Sequence, residues 1–255
     1  MISIGSEQLF TWLGALLWPL VRILALIATA PVFSHVAIPA RVKIGLALAI
    51  AIVVAPTLPV VPATALGSWN GWFLIVQQIA VGTAMGFVLR LVFAAVELAG
   101  DLAGLSMGLS FATIVDPQNS DQTPLVGSFL GLVASLAFLA IDGHLVMINA
   151  IVESFRAFPV GPTVPGGSLH WRDFALMGGQ VFAVGVHLAL PLIATLLVVN
   201  LAIGVMTRAA PQLNLMSIGF PIGLIAGLWA LWMSMPWLVA AIDAHIGRGL
   251  ASLLR

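Results

Sequence analysis

Seven ionisable side chains stand inside otherwise apolar runs of this 255-residue sequence: Arg22, Arg90, Glu97, Asp101, Asp142, His144 and His187. A charge is expensive in apolar surroundings, so each is a candidate for function. Glu97 and Asp101 are four residues apart and share one helix face, with Arg90 seven residues before Glu97 near the same face. Two readings fit that stripe. One is a proton or cation path; the other is a polar face turned to a partner or to a water-filled interior. Asp142-Gly143-His144 interrupts another apolar run. A carboxylate and an imidazole two apart can form a proton relay, with Gly143 letting the backbone bend. The same residues also suit a polar break at an interface, or a buried hydrogen-bonded pair. Neither H-E-x-x-H nor Gly-x-Ser-x-Gly occurs, so no recognised catalytic pattern accompanies them. His35, His144, His170, His187 and His245 are scattered without metal-ligand spacing. His187, four before Pro191, reads as a buried donor.

These residues must be carried by very apolar elements. Hydrophobic residues make up 61% of the chain and charged ones 7%, against roughly 25% in a typical soluble domain. With a mean hydropathy of +1.16, the chain lacks the polar groups needed to cover a water-exposed surface. Lipid or other hydrophobic subunits must cover it instead. The net charge of zero argues against a nucleic-acid footprint. Cysteine is absent, which excludes a disulfide framework and a thiolate metal site. Six apolar stretches, at 9–33, 44–61, 72–98, 125–152, 174–207 and 216–242, approach or exceed the roughly 20 residues that span a bilayer. The second is marginal, because Pro56, Pro59 and Pro62 end it early. A seventh, shorter piece runs from Leu102 to Val115. Ala28-Thr29-Ala30 resembles a signal cleavage site, but the start carries Glu7 and no basic residue, so the first stretch is expected to be a retained helix.

Pro19, Pro31, Pro191, Pro221 and Pro236 fall inside the apolar runs and predict strong kinks. Glycines recur at small-xxx-small spacing: Gly82 and Gly86, Gly100, Gly104 and Gly108, Gly127 and Gly131, Gly223 and Gly227. That spacing predicts close helix packing, within the chain or against partners. Sorting the basic residues by side over six spans gives Arg41, Lys43 and Arg208 against Arg156, Arg172, Arg248 and Arg255, which sets no orientation.

Two segments are unusual. Residues 100–124 read GDLAGLSMGLSFATIVDPQNSDQTP. A glycine-stepped helix is stopped at Asp116-Pro117, a turn-initiating pair. The segment is too apolar for a solvated loop and too broken for a spanning helix. It reads either as a re-entrant loop lining or plugging a pore, with Met107, Phe111 and Ile114 as bulky closing residues, or as a connector packed under other helices. Residues 200–224 read NLAIGVMTRAAPQLNLMSIGFPIGL. Arg208 ends one apolar helix, Pro211-Gln212-Leu213-Asn214 turns, and a second helix containing Gly219-Phe220-Pro221 begins at once. This is a helical hairpin with a tight basic tip.

Here the chain resembles the FliR family of flagellar type III export-gate subunits. The likeness is carried by Met107-Gly108-Leu109-Ser110-Phe111-Ala112 with Asp116-Pro117, and by Asn200-Leu201-Ala202-x-Gly204, Arg208-x-Ala210-Pro211-Gln212-Leu213-Asn214 and Gly219-Phe220-Pro221. Asp142-Gly143-His144, Ser154-Phe155, Pro159-Val160-Gly161 and Pro39-x-Arg41-Val42-Lys43 extend it over essentially the whole chain. The resemblance implies an all-α, polytopic membrane protein of strongly kinked helical hairpins, part of a helical hetero-oligomeric export gate. It implies a FliP-like part at 1–168, including the pore loop, and a FliQ-like hairpin at 169–255. Family members stand as a single copy among FliP-type and FliQ-type subunits, with FlhB-type and FlhA-type export proteins at the cytoplasmic entrance. The gate passes unfolded flagellar proteins across the bacterial inner membrane at the basal body. Phe111 and Ile114 would plug it, Gly104 and Gly108 would let the loop move, and the turn at Arg208, Pro211, Gln212 and Asn214 would face the entrance. No cofactor, metal or catalytic activity is implied. The competing readings are a secondary transporter coupled to protons through Glu97, Asp101 or Asp142, which needs two related halves that are not visible here, and an intramembrane enzyme at Asp142 and His144.

Overall fold

The computed structural model describes residues 6–58, 68–109, 124–161, 171–209 and 215–252. Among these the chain forms seven α-helices: α1 (Ser6–Thr29), α2 (Ala40–Val54), α3 (Trp69–Ser106), α4 (Leu125–Ala140), α5 (Gly143–Ala157), α6 (Trp171–Ala209) and α7 (Leu215–Ser252). The described chain is all-α and polytopic. Four segments are long and apolar enough to cross a membrane: Ala40–Thr57, Trp69–Ser106, Gly178–Ala209 and Gly219–Ala251. The α4–α5 pair makes a fifth if counted as one bent span.

That differs from six simple spans in three places. The first stretch forms the 24-residue α1 and stops at Thr29 instead of running on to residue 33. The pieces at 72–98 and 102–106 are one helix, because Gly100 and Gly104 do not break it. The stretch 125–152 is two helices, bent by 69° at the break.

Local chemistry explains the ends. Thr29 closes α1 by donating its hydroxyl to the Ala25 carbonyl (2.9 Å), and Pro31 cannot continue the ladder. A tight turn follows, with Val32 left-handed at φ 70°. Lys43 of α2 reaches back to the Ser34 carbonyl (3.0 Å) and ties α2 to that turn. Pro56 converts the end of α2 into a short 3-10 turn, Ala55–Thr57. Pro124 precedes α4, and Asp142 separates α4 from α5 in the left-handed region, at φ 55° and ψ 30°. Gly143, predicted to allow the bend, is instead the first helical residue. Of the apolar-run prolines, Pro19, Pro191, Pro221 and Pro236 lie inside continuous helices.

Helices α3, α6 and α7 have 38, 39 and 38 residues. At 1.5 Å per residue each is about 57 Å long, nearly twice the roughly 30 Å hydrocarbon core. The exposed large apolar side chains run from Trp69 to Leu105 on α3 and from Leu176 to Met206 on α6, longer than a bilayer core covers, and from Phe220 to Val239 on α7.

The chain divides into two compact units, one of residues 1–90, 142–174 and 247–255, the other of residues 91–141 and 175–246. Each draws on chain from both sides of residue 168. In the first, Trp18, Ile23, Leu26, Ile27, Leu74, Ile151 and Phe155 are almost fully buried. Gly82 and Gly86 of α3 meet α1 there, where an added Cβ would overlap the Arg22 carbonyl and the Thr29 hydroxyl. In the second, the Phe93 and Phe138 rings pack edge to face at 5.9 Å. Gly100 of α3 and Gly127 of α4 touch backbone to backbone: a Cβ on Gly100 would lie 2.6 Å from the Gly127 Cα. Gly185 of α6 meets the Ala95 carbonyl and Leu98 of α3, although nothing in its spacing marked it.

Candidate functional site

Arg22 is fully buried in the first unit. Its Nε donates to Gln78 Oε1 of α3 (2.8 Å), its Nη1 to Ser154 Oγ of α5 (2.9 Å) and its Nη2 to the Phe158 carbonyl (2.8 Å). The guanidinium lies 3.7 Å over the centre of the Phe155 ring. No carboxylate is among these partners. Ser154, Phe155 and Phe158 form the last turn and cap of α5, where unsatisfied carbonyls give the helix end a partial negative charge. The planar fork fits that end and Gln78 together, a geometry a lysine cannot copy. Three helices are thereby fixed around one cation. The apolar-run rule pointed to Arg22, whereas of its partners Ser154 figured only in the family resemblance and Gln78 not at all.

In the second unit α3 ends at the glycine-rich segment. The Leu109 amide donates to the Gly104 carbonyl (3.1 Å) and the Gly108 amide to the Leu105 carbonyl (3.0 Å), with Gly108 at φ 82°. This is the Schellman closure, and it needs a residue that tolerates positive φ. Gly108 therefore stops the helix in a defined direction. Met107, just before it, is buried at 2% exposure. A Cβ on Gly227 of α7 would lie 2.5 Å from its Cγ, and Gly223 passes near its carbonyl. Two glycines of α7 thus make the notch that holds Met107 at the root of the segment that follows. Phe111, Ile114, Asp116 and Pro117 lie outside the described residues.

The acidic pair of α3 faces α4. A Cβ on Gly131 would lie 3.1 Å from Glu97 Oε1, and one on Gly127 would overlap Asp101 Oδ1. The two glycines leave room for the two carboxylates, so the matched spacing is a packing device. Glu97 is exposed and Asp101 half-buried. Arg90 is exposed too. Asp142 is exposed and half-way round the turn, while the Nδ1 of half-buried His144 has no hydrogen-bond partner among the described residues. No hydrogen bond joins these two side chains. Ring contact pairs His187 with Trp237 at 6.5 Å. Arg208 lies exposed in the last turn of α6, and Pro211, Gln212 and Asn214 are outside the described residues. No group of three or more potential metal ligands occurs among the described residues.

The sequence profile of the family described as "Bacterial export proteins, family 1" matches residues 13–249. The chain is 42% identical to the flagellar biosynthetic protein FliR of Escherichia coli K12 over 254 residues, covering all of this chain and 96% of the relative. It is 43% identical to the FliR of Pectobacterium carotovorum over 246 residues (96% of this chain, 93% of the relative). With the FliR of Bacillus subtilis it shares 31% identity over 210 residues, 82% of this chain and 81% of the relative. The profile match over residues 13–249 and the full-length similarity show that the chain belongs to the bacterial export proteins, family 1.

Proposed function

We propose that the chain is a core structural subunit of the flagellar type III protein export gate, forming and sealing a conduit for unfolded flagellar proteins. The observation that carries this reading is the apolar surface of helices too long for a bilayer. Phe182, Val198, Leu201 and Val205 of α6 and Ile225, Trp229 and Trp232 of α7 are each more than half exposed in the single chain. On α6 such side chains run from Leu176 to Met206, about 45 Å at 1.5 Å per residue, which asks for protein as well as lipid around it. The full-length likeness to flagellar biosynthetic proteins supports the same conclusion.

In this reading the chain stands as a single copy in the bacterial inner membrane at the flagellar basal body, among FliP-type and FliQ-type subunits. Residues 1–168 take a FliP-like role and 169–255 a FliQ-like one. The segment rooted by Met107 and Gly108 carries Phe111 and Ile114 into the conduit as its plug. The turn at Arg208, Pro211, Gln212 and Asn214 meets FlhB-type and FlhA-type proteins at the cytoplasmic entrance. The protein binds and gates, and it performs no turnover of its own. Deleting the gene in its own host tests this: export of flagellar subunits and motility are lost while solute uptake is unchanged. A deletion strain that still exports and swims overturns the proposal.

A further inference from the structure

Helix α2 fits a bilayer in a way the longer helices do not. Its apolar segment Ala40–Thr57 has 18 residues, about 27 Å, close to one hydrocarbon core. Within α2 only the stripe Ala47, Ala51 and Val54 is buried, while Val42, Ile44, Ile52 and Val53 are half exposed or more around the rest of its circumference. One docked helix covers one further stripe, whereas lipid wraps the whole arc.

Charge sits at one end of this helix. Arg41 and Lys43 open α2, and Lys43 is held by the Ser34 carbonyl (3.0 Å). Arg41 is exposed and makes no hydrogen bond or ion pair with a described residue. The macrodipole opposes cations at a helix start, so these two do not stabilise α2. No acid occurs between Glu7 and Glu97 to balance them. The first unit as a whole holds eight basic residues against four acidic ones, Glu7, Asp142, Glu153 and Asp173, although the chain is neutral. In the turn just before α2, Val36 stands 96% exposed. An apolar tip beside unbalanced cations matches a headgroup layer, with phosphates at the cations and acyl chains under the tip.

The far edge carries the other mark of a bilayer. Gly82 of α3 meets Arg22 and Ala25, and Gly86 meets Thr29, so α3 runs parallel to α1. Thr29 adjoins the turn that leads into α2. Trp72 and Trp69 lie 14 and 17 residues back from Gly86, about 21–26 Å from that level. They are 61% and 86% exposed, and exposed tryptophan is a side chain of membrane interfaces. Cations and tryptophans are thus about one hydrocarbon core apart. We infer that the open face of α2 contacts lipid, and that the turn at Val36 with Arg41 and Lys43 binds the headgroups of anionic phospholipids. This rests on residence in a membrane and not on the export role.

The chain has no cysteine, so an introduced one reports alone. The test labels Val36→Cys or Leu48→Cys with an environment-sensitive fluorophore, in the complex with cysteine-free FliP- and FliQ-type subunits held in nanodiscs. Phosphatidylglycerol and phosphatidylcholine carrying nitroxides serve as quenchers. A nitroxide in mid-chain is expected to quench position 48, and one just below the headgroup to quench position 36. At position 36 phosphatidylglycerol should quench more than phosphatidylcholine at equal mole fraction. Arg41→Gln should lower that preference about fivefold, the effect of one surface cation. Arg41→Lys should keep it, because a phosphate accepts lysine as a point charge. No quenching at position 48 puts α2 under protein, and none at position 36 puts the tip in water or under a partner; either result overturns the inference. So does equal quenching by the two lipids, or a preference that Arg41→Gln leaves unmoved. The expected quenching in a chain that purifies alone sustains the inference while the gate proposal falls.

Discussion

Replacing Arg22 tests the logic of the buried cation most sharply. Arg22→Met keeps much of the volume and removes the charge. Ser154 keeps a partner, because its hydroxyl already donates to the Ile151 carbonyl at 2.7 Å. Gln78 Oε1 and the Phe158 carbonyl are left as orphaned acceptors, each costing about 1–3 kcal/mol. The contact with Phe155 is worth up to about 2 kcal/mol when desolvated. Against these stands the relief of no longer burying a guanidinium, several kcal/mol in itself. The net expectation is a loss of about 2–4 kcal/mol. Arg22→Lys is expected to be worse, about 3–5 kcal/mol, because it keeps the buried charge and cannot span three acceptors on three sides. For a chain of this size the methionine variant should melt on the order of 10 °C lower. The assay is thermal unfolding in detergent, followed by tryptophan fluorescence, for which Trp18 is a buried reporter in the same unit. The double variant Arg22→Met with Gln78→Leu should recover about 1–2 kcal/mol relative to Arg22→Met alone, since one orphan is removed. Wild-type stability of Arg22→Lys would refute the reasoning. So would a Gln78→Leu cost that is the same with and without Arg22.

Other outcomes follow from single positions. Asp142→Val places a β-branched residue at φ 55° and should destabilise by about 1–2 kcal/mol, whereas Asp142→Gly should be neutral or better; equal melting temperatures would deny the left-handed turn. Gly227→Val fills the notch that holds Met107, and Phe111→Ala or a short deletion within 109–115 removes the plug itself; both should make the membrane leak ions, read as growth impairment or dye depolarisation, and tight membranes with normal export would deny the plug. Arg208→Glu should reduce motility and co-purification of entrance partners, with unchanged values of both as the contrary result.

The sequence made the helical class and the contact faces legible, for a physical reason. Gly82 and Gly86, Gly127 and Gly131, and Gly223 and Gly227 all lie where another helix comes close. Such spacing is a local property, visible without any knowledge of the partner. What stayed hidden depended on distant contacts. Gln78 and Ser154 are 56 and 132 residues from Arg22, so nothing local announced them. The glycine-stepped piece is expected to run on to Asp116-Pro117, but the helix closes at Ser106, where Gly108 takes a positive φ. At the α4–α5 bend the eye goes to Gly143, yet Asp142 takes the left-handed angles, as a short polar side chain can. Met107 suggested a flexible seal, and its burial against α7 adds an anchoring role at the root of the segment.

The central claim is that this chain is one part of a larger gate, and mass measurement of the assembled complex tests it most directly. Co-expressed with FliP-type and FliQ-type proteins and purified in mild detergent, the chain should emerge in a stable hetero-oligomer containing a single copy of itself. A monomer or homo-oligomer that takes up solutes when placed in liposomes would contradict the account and favour a transporter.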